Sequence, residues 1–230
     1  MSLVLLEHPF ALYCWKALIA LYERDVPFTA DLVEADRSAL AALWLPASIP
    51  LLVDDGVVVP ESSVIVEHLD RHGDAPPLIP QDPDEALRTR LWDRVADGYV
   101  ATPVQKIVGD ALRPPDAKDS HGVSQARSTL DLAYTTLDRQ LHGRDHDGWL
   151  AGEHFTLADC AAAPALHYAD VVHPLDPQTH PALAAYFDRL FARSSIARVV
   201  EEARPYRELF PLPWPERHDA DRPTVPSISP

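Results

Sequence analysis

Ile49-Pro50-Leu51-Leu52-Val53-Asp54-Asp55-Gly56-Val57-Val58-Val59-Pro60-Glu61-Ser62-Ser63 is the stretch from which the rest of the 230-residue chain can be read. Leu51 to Val53 and Val57 to Val59 are short leucine and valine runs on either side of Asp54-Asp55-Gly56. An Asp-Gly step between such runs closes a hairpin, because a tight turn needs residues that accept positive φ. Pro50 stands just before the first run and has no N–H to give to a ladder; in such a bend a proline can take the cis form and fix an exposed loop. The second run passes through Pro60 into Ser62-Ser63, where a serine hydroxyl is expected to cap a helix over Val64 to Arg71. A helix start leaves amide hydrogens unpaired, which makes this one a candidate anion site.

Upstream, Leu3 to Leu6 is a short apolar run of the kind a doubly buried strand shows, and His8-Pro9-Phe10 ends it. Trp15, Leu18, Ile19 and Tyr22 recur at helical spacing, and Phe28, Ala30 and Leu32 alternate as in a strand after the turn at Asp25-Val26-Pro27. Asp36 to Leu45 is alanine- and leucine-rich, so a helix is expected there, ending before Pro46. The order β-α-β-α-β-β-α resembles the thioredoxin-like fold.

Downstream, Ala75 to Pro83 carries four prolines in nine residues, a stiff connector where a domain boundary is expected. Beyond it the pattern is helical. Leu87, Leu91, Val95 and Tyr99 mark one face of a long helix that Pro103 should kink or end. Arg113 to Ser120 reads as a loop, Val123 to Leu141 as the next helix, and His142-Gly143 as its end. Thr156-Leu157-Ala158-Asp159 is a capping box, and the helix after it is apolar nearly all round, as a buried central helix would be. Leu183, Tyr186, Phe187, Leu190 and Phe191 form a further stripe, followed by Ile196, Val199 and Val200. From Pro205 onward seven prolines and little periodicity predict an extended tail.

Hydrophobic residues make up 47% of the chain, enough for one large or two modest domains. The formal charge of −15 and a pI near 5.0 argue against nucleic acid, which needs a clustered basic face. No run of about 18 apolar residues suggests a membrane span. Met1 to Leu6 lacks the length and charged flank of a signal peptide, so the expected location is cytoplasmic. Cys14 and Cys160 are far apart in sequence and read as free thiols. His68 with His72, and His142 with His146, have the i, i+4 spacing of zinc ligands, but neither pair has an evident third ligand, so solvated faces and no metal are expected.

Ile49-Pro50, the acidic hairpin turn and the Glu61-Ser62 step that opens a helix together resemble the glutathione-binding half of the glutathione transferase family. Trp149-Leu150-Ala151-Gly152-Glu153-His154-Phe155 leading into the Thr156–Asp159 box is similar to that family's second signature, which starts the core helix of its all-α domain. The resemblance implies an α/β thioredoxin-like N-terminal domain at 1–75, a linker at 76–83, an all-α helical domain at 84–204, a tail at 205–230, and a homodimer. It implies that the Ile49 backbone, beside a cis Pro50, pairs with the cysteinyl part of glutathione, and that Glu61 and Ser62 hold the γ-glutamyl end. Because glutathione is an anion and the chain is acidic, helix starts and single cations such as Lys16 or Arg37 are expected to supply local positive potential.

The implied activity is attack of the glutathione thiolate on a hydrophobic electrophile. Lowering a thiol pKa of about 8.5 by two units needs roughly 2.7 kcal/mol, a helix start gives about 0.3–1, and one hydrogen bond to the anion gives about 1.5–3. In the family that donor is a tyrosine on the first strand or a serine or cysteine before the first helix; here those positions hold Glu7 and Ala11, neither of which fits. Tyr13, the backbone amides of Leu12 and Tyr13, and His8 are the substitutes, with Tyr13 the catalytic candidate. The co-substrate is expected between Phe10 and Leu12 on one side and Tyr99, Pro103 and Ile107 on the other. Two other readings stay open: a glutathione-binding or partner-binding module without catalysis, suggested by Ala11, and a glutathione-dependent thiol oxidoreductase using Cys14, whose Ala11-Leu12-Tyr13-Cys14 context resembles a glutaredoxin element without its first cysteine.

Overall fold

A computed structural model of the chain describes residues 2–33, 37–73, 75–142 and 148–215. The α/β part runs β1 (Leu3–Glu7), α1 (Leu12–Glu23), β2 (Thr29–Leu32), α2 (Ser38–Leu43), β3 (Leu51–Asp54), β4 (Val57–Pro60) and α3 (Ser62–Leu69). Its sheet has the order β2-β1-β3-β4, with β1 and β2 parallel and the other pairs antiparallel. Asp55 and Gly56 both have positive φ, 44° and 88°, as the two-residue turn between right-twisting strands requires. β1 does not bury both faces: Leu3, Leu5 and Glu7 are inside, whereas Val4 and Leu6 are half-covered. β2, at the sheet edge, has all four residues exposed.

The helical part begins with α4 (Pro83–Val95), continues without a break through a π-helical stretch (Ala96–Ala101), and ends in α5 (Thr102–Ala111). Asp82 caps α4, its carboxylate accepting from the amides of Asp84 and Glu85 at 3.0 Å each. Pro103 neither ends nor interrupts this rod, because it falls in the first turn of α5. The stripe of Leu87, Leu91 and Tyr99 turns out to face solvent, at 68%, 53% and 55% exposure. The opposite face is the buried one, with Ala86, Thr89, Trp92, Asp93, Ala96 and Val100. Apolar periodicity missed it because that face hides a carboxylate with a charged partner.

α6 (Ser120–Leu141) starts where a loop was expected to finish, with only a 3-10 turn at Pro115–Ala117 before it. α7 (Leu157–Val172) is buried at every residue and is the axis of the helical part, with α8 (Pro181–Phe191) packed on it and α9 (Ser194–Ala203) packed on α1 and α8. α1 packs on both α7 and α3, which joins the two parts. The chain after α9 is not an extended tail as far as residue 215. Arg204–Leu209 forms a 3-10 turn, and Phe210, Leu212 and Trp214 fold back on the core. Three large side chains on alternate positions hold a proline-rich segment in place through burial, without regular backbone pairing. No helix among the described residues is long and apolar enough to cross a membrane.

Candidate functional site

Strand register gathers the site. Leu51 lies opposite Leu6 on β1 and opposite Pro60 on β4, so the end of β1, the start of β3 and the end of β4 meet at one edge of the sheet. From that edge β1 leads through His8–Phe10 into α1, the chain enters β3 by a cis Ile49–Pro50 peptide bond, and β4 leads through Glu61 into α3. No backbone hydrogen bond uses the Ile49 amide or carbonyl among the described residues. An extended ligand backbone could pair there as a short extra strand.

α3 starts at Ser62, two residues before the expected Val64, and its N-cap is Glu61 rather than a serine. Glu61 has φ 68° and ψ 120°, a strained conformation for a residue with a side chain, and its carboxylate caps nothing. The Ile65 amide bonds the Glu61 carbonyl at 2.9 Å, while the amides of Ser62, Ser63 and Val64 have no backbone acceptor among the described residues. The Ser62 hydroxyl likewise has no hydrogen bond there, although the residue is only 7% exposed. Unpaired donors at a helix start are the means by which a backbone holds a carboxylate.

Ser63 is engaged differently. Its hydroxyl meets Lys16 Nζ at 3.2 Å, Asp93 at 3.0 Å and the Arg94 guanidinium at 2.6 Å. Lys16 is fully buried on α1 and pairs with Asp93 at 2.8 Å and Asp97 at 2.7 Å. The expectation that Lys16 attracts the ligand is therefore corrected: its charge is neutralised by two carboxylates, and it joins α1 to the rod beneath the start of α3. Arg94, whose side chain is 61% exposed, bridges Asp93 and Asp97 on the open side. Arg37 is exposed and bonds the Ala47 carbonyl at 3.3 Å.

At the start of α1, Ala11 is the N-cap, and its carbonyl accepts from Cys14 at 2.9 Å and Trp15 at 3.3 Å. The Leu12 and Tyr13 amides have no backbone acceptor among the described residues. Tyr13 is half-buried, with Lys16 Nζ 5.8 Å from its ring centre. Burial, followed by the charge of Asp97, holds its phenol above the ordinary value, so it is a neutral donor at pH 7. His8 Nδ1 accepts the Phe10 amide at 3.1 Å, which leaves Nε2 as the ring's donor. Cys14 is fully buried, and burial pushes its thiol far up. An inaccessible neutral thiol is a poor nucleophile, which removes the basis for the oxidoreductase reading. Glu7 is 4% exposed with Oε2 unpaired, and burial, then the charge of Glu202, pushes its carboxyl up to about 7.

The residues expected to line the co-substrate pocket differ in their surroundings. The Phe10 ring packs edge-on to Tyr168 at 5.7 Å and lies 6.0 Å from Trp214, and its carbonyl accepts the Tyr168 hydroxyl at 2.9 Å. Leu12 is half-buried, Tyr99 faces solvent, Pro103 is buried, and Ile107 is 4% exposed. A cleft lined by Phe10 is also bounded by Trp15, His167, Arg207 and Trp214. Sequence reading missed this side because the segment after Pro205 has no periodicity to reveal its packing.

Two further polar clusters join strands, loops and helices. Asp159 is wholly buried and accepts from the Thr156 amide at 2.9 Å, the Thr156 hydroxyl at 3.2 Å, the Leu150 amide at 2.9 Å and the Tyr186 hydroxyl at 2.6 Å. The capping box is thus a folding device that also fastens the loop before α7 and the helix α8. His68 and His72 do not sit on a solvated face: Asp54 Oδ2 lies 2.8 Å from His68 Nε2 and 3.1 Å from His72 Nε2. His146 of the other pair lies outside the described residues.

Comparison with known proteins gives the class. Residues 10–72 match the family description "Glutathione S-transferase, N-terminal domain", and residues 115–189 match "Glutathione S-transferase, C-terminal domain". A glutathione S-transferase from Methylobacillus flagellatus, solved with glutathione bound, superposes with a TM-score of 0.79 at 29% identity, covering 86% of this chain and 98% of that one. Glutathione S-transferase U7 of Arabidopsis thaliana is 32% identical over 149 residues, which are 63% of this chain and 60% of that protein. A stringent starvation protein A homolog of Histophilus somni is 25% identical over 84% of this chain and 88% of its own. The chain belongs to the glutathione S-transferase family.

Proposed function

We propose that this chain binds glutathione at the sheet edge and transfers its thiolate to a hydrophobic electrophile. The observation that carries the reading is the row Leu6, Leu51, Pro60, which brings an unused Ile49 backbone, the open start of α3 and the open start of α1 to one place. The cysteinyl backbone pairs with Ile49 beside Pro50. The γ-glutamyl carboxylate takes the Ser62 hydroxyl and the first amides of α3, with Glu61 beside them for the ammonium group. The sulfur then lies over the start of α1, where the Leu12 and Tyr13 amides and the Tyr13 hydroxyl are the donors. Glutathione is a co-substrate, and the chemistry needs no metal.

A homodimer belongs to the same proposal. Val64 on α3 and Leu87 and Leu91 on α4 are 52%, 68% and 53% exposed, and the Glu67–Arg90 ion pair links the two helices. Exposed apolar side chains on two linked helices are suited to a second copy of the chain. A cytoplasmic location accords with glutathione as the co-substrate.

Ala11 favours a second reading, a glutathione-binding module without catalysis, because alanine offers the sulfur no hydroxyl. Ultraviolet difference spectroscopy at pH 7, alongside calorimetry, separates the two. Saturable heat with thiolate absorbance supports the transferase, and saturable heat without it supports the module. No heat at millimolar glutathione, and no competition by an S-alkyl analogue, defeats both.

A further inference from the structure

We propose that Asp54, His68 and His72 form a binding site for one divalent transition-metal cation of zinc-like preference, at the end of β3 remote from the glutathione cleft. The three donor atoms come from separate places in the chain: the last residue of β3, the last turn of α3 and the bend after it. Asp54 Oδ2, His68 Nε2 and His72 Nε2 are 2.8, 3.1 and 3.4 Å from one another. Donors held about 2.0–2.1 Å from a tetrahedral ion lie roughly 3.3 Å apart. A triangle with the observed sides has a point about 2 Å from every corner, roughly 1 Å out of its plane, so little rearrangement is needed to admit an ion.

Without a metal, Asp54 Oδ2 can accept from both histidines, while His72 Nδ1 stays buried without a partner. If both Nε2 atoms carry protons, both protons point at the same carboxylate oxygen across an Nε2–Nε2 gap of 3.4 Å. If His72 Nε2 is unprotonated, its lone pair faces that oxygen at 3.1 Å. A cation in place of the protons satisfies all three lone pairs together. Two imidazoles and one carboxylate suit zinc, cobalt or nickel better than calcium or magnesium, which prefer all-oxygen shells. The His68 and Asp54 side chains are 15% and 14% exposed, so solvent can supply the remaining ligand.

The scaffold holds these donors in place before any ion arrives. Arg24, 2% exposed, donates to the carbonyls of Leu69, His72, Ala75 and Pro76, and Asp70 accepts the Leu78 and Ile79 amides. His72 Nδ1 is buried without a partner, so the site lacks the outer hydrogen bond that strengthens tight sites, typically by 10–100-fold. The bound ion is therefore exchangeable, and it staples the β3–β4 hairpin to the end of α3.

The test uses the full-length chain, stripped with chelator and titrated with Co²⁺ and with Zn²⁺. The expected result is one equivalent of cobalt with visible ligand-field absorption, displaced by zinc, and a higher thermal midpoint with zinc. His68→Gln and His72→Gln should each weaken binding at least tenfold and abolish the midpoint shift, with far-ultraviolet circular dichroism unchanged. Should either fail to fold, the near-isosteric Asp54→Asn gives the same reading. Absence of the cobalt spectrum, or a spectrum and zinc shift that survive these substitutions, overturns the proposal.

Discussion

Two helix starts in this molecule look alike in sequence and behave oppositely. Thr156 and Asp159 cap the start of α7 reciprocally, the Leu157 amide bonds the Leu78 carbonyl, and Asp159 also gathers donors from Leu150 and Tyr186. Glu61-Ser62-Ser63 at α3 leaves its first amides and the Ser62 hydroxyl open, with Glu61 held at φ 68°. A helix start whose donors are satisfied internally stabilises the fold, whereas one left open at a sheet edge is suited to hold an anion. The difference is where each start lies: α7 begins inside the core, where an unpaired donor is costly, and α3 begins at an edge that water or ligand can reach.

If this contrast holds, substitutions at the two starts separate stability from binding. Asp159→Ala should show the largest effect, a loss of about 3–5 kcal/mol in denaturant unfolding, because buried donors lose their only acceptor. A loss below about 1 kcal/mol would mean that the α7 start is not the fastening described. At α1, Ala11→Ser supplies the missing hydroxyl; the thiolate should gain about 1.5–3 kcal/mol, seen as a roughly 10–100-fold rise in transfer rate with a model electrophile. No rise would place the sulfur elsewhere.

Ser62→Ala is the counterpart of the change at Asp159. Glutathione affinity measured by calorimetry should fall about tenfold, the loss of one hydrogen bond to a charged group, while unfolding free energy moves by less than about 0.5 kcal/mol. Equal losses in both would make α3 a second structural start. Glu7, at the end of β1, tests the same sheet edge through pH. Its folded carboxyl titrates near 7 against an ordinary value of 4.5, so the folded state holds the extra proton and stability falls as pH rises between those values. Glu7→Gln should flatten that slope and, above pH 7, add roughly 1–2 kcal/mol after allowance for partial solvation. An unchanged pH profile would show that Glu7 is not the titrating group.

Legibility followed how local each signal was. The Asp55-Gly56 turn, the strand runs beside it and the Thr156–Asp159 box depend on neighbours a few residues away, and the structure has them as the sequence predicts. The stripe on α4 misled because Lys16, distant in sequence, neutralises Asp93 and lets the polar face turn inward. Asp54 as the partner of His68 and His72 was equally invisible, since a strand and a helix had to be packed before the three met. The ordered segment through Trp214 gave no periodic sign because it is held by aromatic contacts with Phe10, His167 and Tyr168.

By itself the sequence determined the order of strands and helices, the hairpin and the capped central helix, because propensity, turn chemistry and capping act over a few residues. Tertiary structure alone decided which face of α4 is buried, what Lys16 neutralises, what covers Phe10 and which carboxylate meets the histidines. Those outcomes depend on desolvation and charge pairing between residues that only the folded chain brings within a few ångströms of one another.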